Sequence, residues 1–217
     1  MMGSAGVSPP IPTLEPYYHF PLTENGNDIK QGVTPSTVGL SVQFSSDGAR
    51  FQRNNQSFID YINKLDQSKC ITWHCEVMWE VLPPGGNGDL IFSNWHSGSG
   101  SSALQSPSAT YWNPTFNGFI FASTINSSGA ASMRQSSITQ SIQIGKYYKV
   151  SIIEQNGEQR YYLDGLLIGV FNSQLFPRSL NHLQISGNYV KANTLNGYVR
   201  GFKIFDRALT EQEIQSL

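Results

Sequence analysis

The sequence has no excess of either charge: 14 Lys and Arg stand against 15 Asp and Glu over 217 residues, and charged side chains make up only 13 % of the chain. No Lys/Arg run is present that could track phosphates or an anionic bilayer, so nucleic acid and membrane surfaces have no electrostatic footing as partners. No apolar run approaches the roughly 20 residues that cross a bilayer. The opening "MMGSAGVSPPIPTLEP" lacks the basic-then-apolar order of a secretory signal. Residues 1–16 read as a flexible leader or an expression scar, ahead of one domain over residues 17–217. Cysteine is scarce as well. Cys70 and Cys75, if both lie on one extended segment, are about 16 Å apart at roughly 3.3 Å per residue, beyond disulfide reach. They read as buried thiols, and two Cys without a second ligand pair make no zinc site.

Helical periodicity is nearly missing too. Two short exceptions are "SFIDYINKL", with Phe58, Tyr61, Ile62 and Leu65 at helical spacing, and "TEQEIQSL", where Thr210 and Glu213 can form a capping box. What the chain does have is alternation punctuated by turn dipeptides. From Tyr147 to Phe171, apolar stretches break at Asn156-Gly157 and Asp164-Gly165, the strongest short-range hairpin signals, which predicts three antiparallel strands. "VGLSVQF", "ARFQR", "ITWHCEVMWEVL", "DLIFSNW", "GFIFAST", "NHLQISG" and "GYVRGFKIFD" add further strands with Gly, Asn, Asp or Pro between them. Ten or more strands without intervening helices predict an all-β sandwich of two antiparallel sheets. The longest irregular segment is expected from Ser97 to Pro114, and a loop of that length in a compact domain is usually functional or disordered.

Several stretches resemble one family. "GKYYKVSIIEQNGEQRYYLDGLLIG" is similar to the laminin-G-like signature, in which an aromatic strand leads through a hairpin to an aromatic-aliphatic-Asp-Gly turn. "LNGYVRGFKIFDRALTEQEIQSL" resembles its closing pattern of Gly-led strand, aromatic, Asp-Arg-Ala-Leu turn and short acidic helix. "YYHFPL", "GLSVQFSSDGARF" and "ITWHCEVMW" match its opening strands, so the resemblance runs from about Tyr17 to Leu217, with residues 83–145 alike only in strand pattern. It implies a concanavalin A-like jelly roll. That fold hosts lectins, carbohydrate-binding modules, adhesion domains, phage tail appendages, hydrolases and lyases, so function has to come from a site.

The densest candidate is "CITWHCEVMWEV". On a strand, Trp73, Cys75, Val77, Trp79 and Val81 would share the core face, and His74, Glu76, Met78 and Glu80 the other. "EVMWE" has the carboxylate spacing of the laminarinase-type strand Glu-x-Asp-x-Glu, which the resemblance makes a candidate hydrolase or lyase pair, but Met78 stands where that family has its middle Asp. Retaining hydrolysis wants carboxyl groups about 5–5.5 Å apart, whereas Cα atoms four residues apart on a strand are about 13 Å apart. Glu76 and Glu80 therefore read as solvated side chains, and no catalytic residue is expected.

The expected ligand-binding residues lie in loops: Trp95 and His96 in "FSNWHSGSG", Tyr111, Trp112 and Asn113 in "ATYWNPTFNG", and Tyr189 in "SGNYVKANTLNG". Aromatic faces stack on the C–H faces of sugars while Asn, His and Ser bond the hydroxyls; the competing reading is that the rings cap the end of the sandwich. His19 and His182 have no partner at metal or nucleophile spacing and read as surface or packing residues. No cofactor is implied with certainty. Calcium is an option through Asp28, Asp47 or Asp89, none of which lies in a cluster of oxygen ligands.

The sequence thus points to a non-enzymatic carbohydrate-binding or adhesion domain, with a glycan or cell-surface polysaccharide as partner and an extracellular or virion-associated location. Weak affinity per site argues for presentation in several copies, as a homotrimer or on a larger multidomain protein. The rivals are a structural or receptor-binding module of a phage tail or virion, and a hydrolase or lyase using Glu76 and Glu80.

Overall fold

The computed structural model describes residues 14–53, 57–84, 87–96, 104–113, 118–125, 131–135, 142–172, 182–187 and 194–217. Two antiparallel sheets pack face to face. The first contains β1 (Tyr18–Phe20), β3 (Gln43–Ser45), β4 (Gly48–Phe51), β6 (Thr72–Trp79), β11 (Tyr147–Gln155), β12 (Glu158–Leu163), β13 (Leu166–Asn172) and β15 (Gly197–Phe205). Its order is β13-β12-β11-β6-β15-β4-β3, with β1 also on β15. β15 pairs with β6 along one edge and divides its other edge between β4 and β1.

The second sheet contains β2 (Thr37–Val38), β5 (Ile59–Ile62), β7 (Asn87–His96), β8 (Leu104–Asn113), β9 (Gly118–Ile125), β10 (Ala131–Gln135) and β14 (His182–Ile185), in the order β10-β9-β8-β7-β14-β5-β2. Among the described residues no helix is long and apolar enough to cross a membrane.

The core lies between the sheets. Trp73, Cys75, Val77 and Trp79 of β6 meet Ile59, Tyr61, Phe92, Leu183 and Ile185 of the second sheet, all of them buried. Trp73 stacks on Phe92 with ring centroids 6.1 Å apart, and Phe202 meets both rings edge-on. Both thiols are buried and free, and burial pushes the Cys75 thiol well up. Val81, expected on the core face, lies past the end of β6 and is exposed.

The two predicted hairpins are present. Asn156 and Gly157, then Asp164 and Gly165, all have positive φ, the backbone signature of tight turns matched to twisted strands. The last predicted helix is α1 (Glu211–Ser216), closed by a capping box between Thr210 and Glu213. It buries Ile214 with Leu209, Ile153, Tyr162 and Phe205 on the outer face of the first sheet, a small cluster that Leu14 also joins.

Two expectations need correction. "SFIDYINKL" is no helix: it holds β5, where Ile59 and Tyr61 face the core and Asp60 the opposite side. Strand pairing with β14 and β2 overrides the local spacing, and Asn63, at positive φ, ends the strand. The irregular stretch expected from Ser97 to Pro114 contains β8, a ten-residue strand laddered to β7 and β9. A Ser/Ala/Thr-rich segment gives little apolar alternation to read, so this strand was invisible to pattern.

Candidate functional site

The six expected ligand contacts are not loop residues where the structure describes them. Trp95 and His96 end β7, and Tyr111, Trp112 and Asn113 end β8; Tyr189 lies outside the described residues. Register places Trp95 across from His182 on one side and Gln105 on the other, and His96 across from Leu104. Tyr111 pairs with Asp89 and Phe119, Trp112 with Gly88 and Gly118, and Asn113 with Asn87. The two groups thus sit toward opposite ends of the β7–β8 ladder.

Between them runs a polar row that the sequence reading did not single out. Cross-strand pairing lines up Thr37, Asp60, Gln184, Ser93 and Ser108 over five strands, and Ile62, His182, Trp95 and Gln105 over the next row. The alternate residues Ile59, Tyr61, Leu183, Ile185 and Phe92 belong to the core, so Asp60, Gln184 and Ser93 occupy the outer face. Yet these three are almost fully buried, at 5 %, 1 % and 0 % exposure.

Buried polar groups normally find partners. Here Ser93 Oγ and Gln184 Oε1 have no hydrogen-bond partner among the described residues. Asp60 Oδ1 lies 3.3 Å from His182 Nε2, whose side chain is 21 % exposed, and the neighbouring Ile62 is exposed. The row is therefore buried, and His182, the partner of Asp60, is the part-exposed polar residue next to it. What it can do chemically is accept and donate hydrogen bonds to a neutral polar ligand. The clue was present in "HLQI" and "IDYI": polar residues in step on a strand whose other face is core. The helical reading of Asp60 concealed it.

The other carboxylates are committed elsewhere. Glu76, on the outer face of the first sheet, takes a two-pronged contact from Arg200, Nε at 3.0 Å and Nη2 at 2.7 Å from Oε2. Glu80 is held by Arg50, with both Nε and Nη2 at 2.9 Å. The expectation of freely solvated carboxylates is thus corrected: each has its own guanidinium and is only half-exposed. Arg200 also stacks on the Tyr147 ring at 3.8 Å from its centroid. On the same face His74, across from Lys203 on one side and Ser151 on the other, is buried; burial first, then Lys203 and Lys149, lower its pKa to about 3.

Of the calcium candidates, Asp28 spends its carboxylate on the backbone N–H groups of His19, Lys30 and Gln31. Asp89 is fully buried and bound by Arg53, Nε at 3.0 Å and Nη2 at 2.7 Å; burial raises its pKa while Arg53 opposes the shift. Neither fits a site that needs several free oxygens. Asp47 is a turn residue between β3 and β4. Among the described residues no three His, Cys, Asp or Glu gather as metal ligands.

Among curated proteins none matches the chain in sequence. Solved structures share its fold. A Trypanosoma rangeli sialidase in complex with a difluoro-KDN compound aligns at TM-score 0.70 and 17 % identity, over 92 % of this chain and 32 % of that one. The botulinum neurotoxin type G receptor binding domain aligns at TM-score 0.67 and 17 % identity, over 94 % and 50 %. The Ruminococcus gnavus IT-sialidase CBM40 bound to α2,3 sialyllactose aligns at TM-score 0.54 and 10 % identity, over 68 % and 82 %. At such identities the likeness is one of fold, and the chain spans about a third of the sialidase. The family model for the concanavalin A-like lectin/glucanases superfamily, Laminin_G_3, matches residues 63–215, and the chain belongs to that family.

Proposed function

We propose that this concanavalin A-like chain is a non-enzymatic glycan-binding domain whose ligand lies along the outer face of the second sheet. The observation that carries the reading is the buried row Asp60–Gln184–Ser93, in which Ser93 Oγ and Gln184 Oε1 have no hydrogen-bond partner among the described residues, next to the part-exposed His182. Leaving such groups unmatched costs about 1–3 kcal/mol each, which a ligand's hydroxyl groups would recover.

Trp112 stands four residues along β8 from Ser108, and Trp95 pairs in register with His182. Both are therefore assigned as stacking platforms for sugar rings. Tyr111, Asn113 and His96, next to them on the same strands, are proposed as further ligand contacts, while Tyr189 lies outside the described residues.

Fold neighbours that are a carbohydrate-binding module and a receptor binding domain support binding over turnover. The sialidase likeness reaches a third of that chain and brings no activity with it. Glu76 and Glu80, each clasped by its own arginine, lack the contrasting environments that separate an acid from a nucleophile. The partner is a glycan or cell-surface polysaccharide met outside the cell or on a virion. Presentation in several copies, as a homotrimer or on a longer protein, would compensate weak single-site affinity.

The test is a glycan-array screen of the whole chain, with and without calcium, beside His182→Ala and Trp112→Ala. The reading expects selective binding, calcium-independent and weakened in both variants. Silence of the folded protein on the array, or binding untouched by either variant, overturns it; turnover of a glycan that Glu76→Gln abolishes would replace it with the hydrolase reading.

A further inference from the structure

The opposite side of the sandwich has a different chemistry. On the outer face of the first sheet, Lys203 of β15 and Lys149 of β11 flank β6, one across from His74 and the other across from Glu76. Both lysines are half-buried, and among the described residues neither has an ion pair. The acids around them are already engaged: Glu76 with Arg200, Asp164 with Lys146 at 3.6 Å and with the Lys149 backbone N–H, and Asp28 with three backbone N–H groups. His19, across from Lys203 on β1, is held toward its neutral form by burial and then by Lys203.

Beneath the lysines lies a buried pair, His74 Nδ1 and Ser151 Oγ, 2.8 Å apart. One hydrogen joins these two atoms. If Ser151 donates it, the neutral imidazole carries its proton on Nε2; if Nδ1 donates it, the Ser151 hydroxyl hydrogen is unused. In either tautomer the pair retains a donor, and its surroundings are cationic.

We propose that Lys149, Lys203 and the His74–Ser151 pair form a binding subsite for a small oxyanion, the carboxylate or sulfate group of an acidic saccharide or the equivalent free anion. Both lysines are half-buried without an ion pair among the described residues, and an anion between them supplies one. The direction of the Lys203 pKa agrees: burial lowers it most, and Lys149 adds to that against the pull of Glu76. The subsite is on the other sheet from the proposed glycan face and stands or falls separately from it.

The experiment titrates the whole ¹⁵N-labelled chain with a monosulfated disaccharide, its unsulfated parent and inorganic sulfate. The expected result is that the sulfated probe shifts the amides of Lys149, Lys203, His74 and Ser151 while the parent leaves them in place. Affinity should fall on the order of tenfold in K149M/K203M, hold in K149R/K203R, and hold in K64M, which removes an exposed lysine elsewhere. Tighter binding of the sulfated disaccharide than of sulfate assigns the anion to a saccharide; equal binding assigns it to the free ion. Shifts spread over other lysines, or a folded K149M/K203M that binds as the wild type does, overturn the proposal. The amide map of the wild-type chain decides the matter even if the double variant fails to fold.

Discussion

The two outer faces of the sandwich solve the same problem in opposite ways. On the first sheet the acidic groups are mated pairwise: Glu76 with Arg200, Glu80 with Arg50, and Arg200 in turn stacked on Tyr147. On the second sheet the polar groups are buried more deeply, and Ser93 Oγ and Gln184 Oε1 have no hydrogen-bond partner among the described residues. A face whose carboxylates already have guanidinium partners has little to offer a neutral ligand. A face with buried, idle hydrogen-bonding groups carries a cost that a ligand can relieve. Counting acidic residues in the sequence draws attention to the first face; the pairing geometry moves it to the second.

The largest effect that would break this contrast is mechanical. Gly197 begins β15 opposite Trp79, and a Cβ there would come within 1.9 Å of the Met78 carbonyl oxygen. Gly197→Ala should cost about 3 kcal/mol or more by prising β15 from β6, read as a lowered urea midpoint. A variant as stable as the wild type would show that the first sheet is not the rigid frame described here.

Next is acid sensitivity, which belongs to the first face. His74 remains neutral in the folded chain down to about pH 3, while the unfolded chain takes up that proton near pH 6.5. Between those values the unfolded state binds more protons, so stability falls as the pH drops, by on the order of 1 kcal/mol per pH unit from this group. Urea melts of wild type and His74→Gln should diverge across that window, the wild type having the steeper loss. Parallel curves would mean that His74 is not the buried neutral group described.

A smaller effect sharpens the second face. Asp60→Asn should weaken binding of any array-positive glycan by roughly tenfold, about 1.4 kcal/mol, by altering the group that meets His182, with little change in melting temperature. Smallest of all, Glu76→Gln should cost under about 1 kcal/mol of stability and leave glycan binding as it was, since its pair with Arg200 is part of the scaffold. Loss of binding in Glu76→Gln with Asp60→Asn neutral would reverse the assignment of the two faces.

Much of the scaffold is legible in the sequence, for reasons that can be named. Asn156-Gly157 and Asp164-Gly165 declare their hairpins because few other dipeptides take two positive φ values in succession. Thr210 and Glu213 declare a helix start because each satisfies the other's backbone donor. β6 shows its core face because Trp73, Cys75, Val77 and Trp79 alternate without a break. The site is legible only in part. Asp60 sits in "SFIDYINKL", where Phe58, Tyr61, Ile62 and Leu65 mimic helical spacing, and only its pairing with β14 fixes the period at two. Asp60, Ser93, Gln184 and His182 come together through register among three strands far apart in sequence, which no local pattern encodes. Trp95 and Trp112 were visible as aromatics beside Gly and Ser; their position on paired strands was not.

The most direct measurement is the amide chemical-shift map of the ¹⁵N-labelled chain titrated with a neutral glycan selected on the array. The account predicts shifts at Asp60, Ser93, His182 and Gln184 and none at Glu76, Glu80, Arg200 and Tyr147. Shifts confined to the first-sheet residues, with Asp60 and Gln184 unmoved, would contradict it.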